Sequence, residues 1–258
     1  MSGHDIPRQP LPHLLTPQRH TGRYAYRAPG VYCRVPLPVP PSAIMLSALS
    51  LALLGFLLGV RHAVDPDHVV AIGTIATRSP TVRRAAGIGA LWGIGHTVTI
   101  LAVGGSIVLL RVAISPRVGL AMEFAVALML ILLGVMNLVS ARRTDTRAPS
   151  AARPVMVGMV HGLAGSAAVA LLVLAAVPNP VWALAYLALF GTGTIVGMVV
   201  VTTLIAVPAA LAVTRAASAR RWLTVASGVV SVVFGVLLAY AVSGPEGLFS
   251  DTPAWTPR

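Results

Sequence analysis

Cysteine is almost absent from this chain of 258 residues, in which Cys33 is the single example. One cysteine excludes an intrachain disulfide, a thiolate metal cluster within one chain and a pair of redox-active cysteines in the membrane. Lysine is absent altogether, and there are seven acidic residues and nineteen arginines. Charged residues make up only 10% of the chain, whereas about a quarter of a soluble domain is charged. This composition is typical of a protein embedded in a membrane.

Six apolar segments account for the hydrophobic fraction of 56%, and each is long enough to cross a bilayer core of about 30 Å. The segments comprise residues 43–77, 87–110, 118–139, 154–177, 181–213 and 222–242. Three connections, 78–86, 140–153 and 214–221, contain three, four and three arginines. We therefore attribute the net charge of +12 to the positive-inside rule rather than to a nucleic-acid partner, and predict that both termini lie outside. The expected location is the cell membrane, crossed several times.

Two polar segments flank the membrane domain, which we assign to residues 43–245. Residues 1–42 are rich in proline and arginine and lack an apolar period, so we predict that they are disordered. Residues 246–258 form a short C-terminal tail. Met45 opens the first apolar segment, and we hypothesise that natural translation starts there. N-terminal sequencing of the natural product tests this hypothesis.

The two halves of the membrane domain, about 46–140 and 150–242, repeat each other at an offset of about a hundred residues. Three pairs of segments align: residues 59–71 with 158–170, residues 93–96 with 191–194, and residues 133–135 with 234–236. Three spans in each copy require the second copy to be inverted in the membrane, as in many secondary transporters. We therefore predict an all-α integral membrane protein of six transmembrane helices in a 3+3 inverted repeat, with a site near the bilayer midplane.

Four side chains that can bind a metal lie within seven residues near the middle of the first span: His62, Asp65, Asp67 and His68. Burying such groups in a bilayer costs several kcal/mol unless they are paired, hydrated or coordinated. Pro66 lacks an amide hydrogen and disfavours helical geometry at Asp65, so we expect the helix to kink or open there. The opening directs Asp67 inward beside the two histidines.

His96, in the second span, is the natural third imidazole. Imidazole and carboxylate ligands without sulfur suit Ni²⁺ or Co²⁺, accept Zn²⁺ or Mn²⁺, and argue against Cu⁺. His161 aligns with His62, but its copy of the motif has lost both acids and the second histidine. We therefore expect His161, like Thr97 and Thr194, to line the pathway or to orient the ligands.

Simpler explanations compete with direct ligation at three of these positions. Asp65 followed by Pro66 is also the pattern of a helix N-cap with proline at the first helical position. His96 can instead make a hydrogen bond between helices. For His161 a structural role is the simpler explanation.

The sequence resembles the nickel/cobalt transporter family, known as NicO or NiCoT. The family motif His-x4-Asp-His is matched by His62, Asp67 and His68, and an aromatic-rich turn into Gly-His-Ser/Thr is matched by residues 92–98. Residues 161–168 resemble the short six-span branch often called urease-accessory-like. The resemblance covers residues 46 to about 242, although Pro66 replaces the usual alanine and the acidic motif of larger members is missing from the second half. It implies delivery of metal to the maturation proteins of metalloenzymes such as urease or hydrogenase.

We therefore expect a transporter rather than an enzyme, with no resident cofactor and with Ni²⁺ or Co²⁺ as its cargo. The expected ligands are His62, Asp67, His68 and His96, with Asp65 as a ligand or a helix cap. Two alternatives remain open. One is a membrane accessory protein that assists metalloenzyme maturation without transport, and the other is an exporter of a different small solute. An anion carrier needs a positive site, whereas the buried groups here are carboxylates and imidazoles.

Overall fold

The computed structural model describes residues 18–20, 23–28, 31–34, 41–77, 79, 81–110, 114–142, 151–163, 177, 179–215, 218–244 and 247–255. Within these residues there are seven helices. They are α1 (Pro41–His62), α2 (Pro66–Ala76), α3 (Val82–Leu110), α4 (Pro116–Arg142), α5 (Ala152–Gly162), α6 (Pro180–Arg215) and α7 (Ala219–Ser243).

Four of the helices, α3, α4, α6 and α7, are each long and apolar enough to cross a membrane. Helices α1 and α2 together have the length of one further span, which is bent by 57° at the break between them. The described residues therefore contain four or five candidate spans, as expected of a helical integral membrane protein. Helix α5 covers the first part of the predicted apolar segment 154–177, and most of the rest of that segment lies outside the described residues.

The predicted opening of the first span is confirmed. Helix α1 ends at His62, and α2 begins at Pro66, with Asp65 in an extended conformation at the N-cap position. Pro66 has no amide hydrogen for the His62 carbonyl oxygen, which instead accepts a bond from the Asp65 amide at 3.1 Å. The break therefore brings His62 and the first turn of α2 together without a continuous helix.

Small residues allow α1 to approach α6 closely. Gly59 of α1 lies against the backbone of Phe190, and Gly193 of α6 lies against the backbone of Phe56. A Cβ atom at either glycine would overlap a carbonyl oxygen of the other helix. Close backbone approach through glycine is the usual way in which helices associate in membranes.

Helix α5 packs against α3 in the same manner. Gly158 of α5 lies against the backbone of Trp92, and Gly95 of α3 lies against the backbone of Val155. Each of these residues is 98 or 99 positions from its counterpart in the α1–α6 contact. The contact between α3 and α5 therefore repeats the contact between α1 and α6, with the two halves of the chain exchanged.

The pairing of α4 with α7 has the same reciprocity. Gly134 of α4 lies against Val232, and Gly235 of α7 lies against Ile131. Gly235 follows Gly134 by 101 positions, and Val232 follows Ile131 by 101 positions. In this pair too, the contact residues of one helix follow those of the other at a constant offset.

Asn137 joins three helices in the interior. Its side-chain amide donates to the carbonyl oxygen of Thr74 at 2.8 Å and to the hydroxyl of Ser227 at 3.1 Å. The side chain is buried, so these bonds replace the water that it loses. Asn137 therefore holds α4 to both α2 and α7.

The last described residues fold back onto the start of α4. The Trp255 indole donates to the buried carboxylate of Glu123 at 2.9 Å, and its ring covers Gly119. The Arg117 guanidinium donates to the carbonyl oxygen of Ser250 at 3.0 Å. Residues 247–255, predicted only as a tail, are therefore packed against the membrane domain.

Residues before Ala48 form a separate compact unit, which contains a three-stranded antiparallel sheet. Its strands are β1 (Gln18–His20), β2 (Arg23–Ala28) and β3 (Val31–Arg34). The expectation of an all-α protein did not include this sheet, whereas the expectation of disorder stays a prediction, since most of residues 1–42 lie outside the described residues. Tyrosines at positions 24, 26 and 32 favour strands, and a two-residue connection joins β2 to β3. The proline and arginine content outweighed these signals in the sequence-based prediction.

Candidate metal site

Four histidines from four helices lie together. His62 ends α1, His68 lies in the first turn of α2, His96 lies in the middle of α3, and His161 lies at the end of α5. The His68 ring is central, with its centroid 4.5 Å from that of His62, 5.1 Å from that of His96 and 4.2 Å from that of His161. His62 is 5% exposed and the other three are fully buried. We call these four residues, together with Asp67, the histidine cluster.

His62 is held in one orientation by Asp65. Its Nδ1–H donates to the Asp65 carboxylate at 2.9 Å, so its Nε2 carries the lone pair. That Nε2 lies 3.0 Å from the Nε2 of His96. Two ligands at right angles on a metal, each about 2.1 Å from it, are separated by about this distance. The two nitrogens are therefore spaced as neighbouring ligands of one ion.

Asp67 connects the other two histidines. One carboxylate oxygen lies 3.1 Å from the Nδ1 of His68, and the other lies 2.8 Å from the Nε2 of His161. The Asp67 side chain is 17% exposed, whereas both imidazoles are fully buried. Opening of the helix before α2 turns this carboxylate into the cluster, as the Pro66 break predicts.

Three ring nitrogens of the histidine cluster have no hydrogen-bond partner in the described part of the chain. They are the Nε2 of His68, the Nδ1 of His96 and the Nδ1 of His161. A buried polar atom without a partner costs about 1–3 kcal/mol. An ion bound at the Nε2 of His68 would offset this cost with a coordinate bond.

Two sets of three side chains are close enough to hold a metal ion. The ligand atoms of His62, His68 and His96 lie within 4.8 Å of one another, and so do those of Asp67, His68 and His161. His68 belongs to both sets. Nitrogen and carboxylate ligands of this kind suit Ni²⁺, Co²⁺ or Zn²⁺.

Asp65 does not join either set of ligands. It occupies the N-cap position of α2, and its side chain makes no capping hydrogen bond. Its carboxylate is 38% exposed and contacts the cluster through His62. Among the cluster residues, Asp65 therefore contacts His62, and a carboxylate in such a contact can orient an imidazole.

Thr97 and Thr194 are both buried, and the hydroxyl of each donates to a backbone carbonyl oxygen. The Thr97 hydroxyl donates to the carbonyl oxygen of Gly191 at 3.1 Å. The Thr194 hydroxyl donates to that of Phe190 at 2.9 Å. The bond of Thr97 joins α3 to α6.

His161 contacts both Asp67 and His68. These contacts are compatible with the expected role in the pathway or in ligand orientation, which stays a prediction. The alignment of His161 with His62 is the sequence signal for such a role. The loss of both acids from its own copy of the motif made a direct role less apparent.

Two aromatic rings flank the cluster on opposite halves of the chain. Trp92 lies 5.5 Å from His161, and Phe190 lies 5.3 Å from His62, measured between ring centroids. Trp92 and Phe190 are 98 positions apart, as are His96 and Thr194. His62 and His161 thus each lie beside one aromatic ring, and the two rings are at corresponding positions in the sequence.

Comparison with known proteins agrees with this chemistry. The family model described as high-affinity nickel-transport protein matches residues 48–147, which include every member of the cluster except His161. The urease accessory protein UreH of Bacillus sp. (strain TB-90) is 35% identical over 218 residues, in an alignment that covers 78% of this chain and 95% of that protein. No solved structure matches the chain.

Proposed function

This chain belongs to the NicO family of nickel-transport proteins, and we propose that it carries Ni²⁺ or Co²⁺ across the cell membrane. The family and the apolar helices indicate a multi-pass membrane protein with a role in transport rather than an enzymatic one.

The convergence of His62, Asp67, His68 and His96 is the observation that carries the proposal. These groups are costly to bury in a membrane unless they bind one another or an ion. They belong to three different helices. His62 and His96 are 34 positions apart in the sequence, yet their Nε2 atoms lie 3.0 Å apart. A dication that replaces this contact is bound by neutral imidazoles and balanced by the Asp67 carboxylate.

We propose further that six spans form a 3+3 inverted repeat with the site near the midplane. The reciprocal contacts support this architecture, because Gly59 meets Phe190 just as Gly158 meets Trp92. A twofold relation between the halves accounts for such an exchange of partners. The histidine cluster contains residues from both halves of the chain. Transporters with inverted repeats bind their cargo at the interface between the two repeats.

Nickel flux into proteoliposomes tests the proposal. We expect purified wild-type protein to take up radioactive nickel above empty liposomes, and Asp67→Asn and His62→Ala to reduce uptake by about tenfold or more. Ser106→Ala is the matched control, since Ser106 is exposed on α3 and its hydroxyl donates to the Ala102 carbonyl oxygen. Wild-type uptake no greater than that of empty liposomes would refute transport.

The name of the relative UreH favours a second candidate, which is a role in urease maturation. Nickel supplementation separates transport from direct assistance in assembly. If the chain supplies nickel, excess nickel in the medium should restore urease activity to cells from which this chain has been deleted. If the chain acts on the maturation proteins themselves, added nickel will not restore activity.

A further inference from the structure

We propose that the histidine cluster holds one ion at either of two adjacent positions, and that the ion passes from one to the other across the ring of His68. The inference rests on the proposed transport function. It extends that function by giving His161 a direct part in transport, although His161 lies outside the matched motif.

The first position lies among His62, His68 and His96. The Nε2 atoms of His62 and His96 are 3.0 Å apart, and the Nε2 of His68 is buried without a hydrogen-bond partner among the described residues. The His68 ring centroid is 4.5 Å from that of His62 and 5.1 Å from that of His96. Three imidazole nitrogens can therefore meet at one ion.

The second position lies on the other edge of the same ring. The Nδ1 of His68 faces one oxygen of Asp67 at 3.1 Å, and the other oxygen faces the Nε2 of His161 at 2.8 Å. These three side chains form the second set of potential ligands. The second position differs from the first in having a carboxylate and in using a residue of the second half of the chain.

Both positions cannot be filled at once. A neutral imidazole has one lone pair and one proton, so His68 binds an ion through one ring nitrogen at a time. Two dications on opposite edges of one ring would also repel each other strongly in a membrane interior. When the ion moves, the proton of the His68 ring changes from Nδ1 to Nε2. Because His68 is fully buried, the proton exchanges with water through the partly exposed Asp67 carboxylate, and the net protonation of His68 does not change.

Movement of the ion from the first position to the second changes which helices supply its ligands. At the first position the ligands belong to α1, α2 and α3, whereas at the second position they belong to α2 and α5. Asp67, the partly exposed member of the cluster, belongs to the second position. The ligands at the first position are thus buried imidazoles, and those at the second include a carboxylate that is 17% exposed.

Substitutions of His161 separate the two positions. His161→Gln keeps an N–H donor for Asp67 but removes the imidazole ligand, and His161→Ala removes both. Because the first position remains, we expect the apparent Kd for Ni²⁺ to change by no more than about threefold in both variants. We expect nickel flux in proteoliposomes to fall by about tenfold or more in both. In this proposal the first position is the tighter of the two, so His96→Gln should weaken binding itself by about tenfold or more.

Binding is measured by calorimetry with Ni²⁺ on purified protein, and correct folding is checked by size-exclusion chromatography. Flux of His161→Gln equal to that of the wild type would overturn the inference and leave the proposed transport intact. Weakening of binding in His161→Gln as large as in His96→Gln would indicate one shared site and also overturn it. The wild type should bind one ion per chain, and two ions would contradict mutual exclusion whatever the variants do. Absence of flux in the wild type would overturn the transport function as well.

Discussion

The Nε2 atoms of His62 and His96 face each other at 3.0 Å although the residues belong to different helices. The Nδ1–H of His62 is committed to Asp65, so in the absence of an ion His96 must donate the hydrogen bond between the two rings. That tautomer leaves the Nδ1 of His96 as an acceptor without a partner among the described residues. An ion bound by both Nε2 atoms would take the lone pair of each ring, and the proton of His96 would then lie on Nδ1.

Asp65 is predicted to act on the ion through His62. Asp65→Ala removes the carboxylate that fixes the His62 tautomer, and we expect nickel affinity to fall by about 10- to 100-fold. Asp65→Ser supplies a good N-cap residue for α2 but no carboxylate for the imidazole. It should therefore bind nickel as weakly as Asp65→Ala in a calorimetric titration. Wild-type affinity in the serine variant would assign Asp65 to helix capping instead.

Nickel affinity should fall as the pH is lowered. Each imidazole that takes up a second proton loses the lone pair that binds the metal, so protons and Ni²⁺ compete for the cluster. Affinity measured between about pH 5 and pH 8 should rise with pH, and the heat of binding should depend on the ionisation enthalpy of the buffer. A Kd that does not vary over this range would show that no side chain of the cluster releases a proton when nickel binds.

The close contact of α1 with α6 gives a prediction about stability. Gly193→Ala places a methyl group against the Phe56 carbonyl oxygen, and we expect it to lower the free energy of unfolding by about 1–3 kcal/mol. Gly87→Ala in α3 is the matched control, since no other group lies within 4 Å of the position of its Cβ. That control should be neutral or slightly stabilising, because alanine favours a helix more than glycine does. Thermal unfolding in detergent compares the two, and equal effects would mean that the contact with α6 is not tight.

The sequence contained enough information to predict which residues form much of the candidate site. Pro66 lacks an amide hydrogen, and this local property alone predicts the break that brings His62, Asp67 and His68 together. The direct contact of His161 with Asp67 could not be predicted in this way, because it depends on how closely α5 approaches α3. Residue spacing along one helix does not specify such a distance between helices.

Trp255 should contribute to stability although it lies in the predicted C-terminal tail. Trp255→Phe retains an aromatic ring over Gly119 but removes the hydrogen bond to Glu123, and bonds to charged groups contribute about 1.5–3 kcal/mol. We expect the free energy of unfolding to fall within this range. Trp255→Ala should cost more, since it also uncovers the surface of α4.

Trp182→Phe is the control for Trp255, because Trp182 is 44% exposed at the start of α6. It should leave the thermal unfolding temperature in detergent nearly unchanged. Nickel binding should be the same in all three variants, since Glu123 and Trp255 do not belong to the histidine cluster. If Trp255→Phe and Trp182→Phe unfold at the same temperature, the bond from the indole to Glu123 does not stabilise the fold, and residues 247–255 pack against α4 through apolar contact alone.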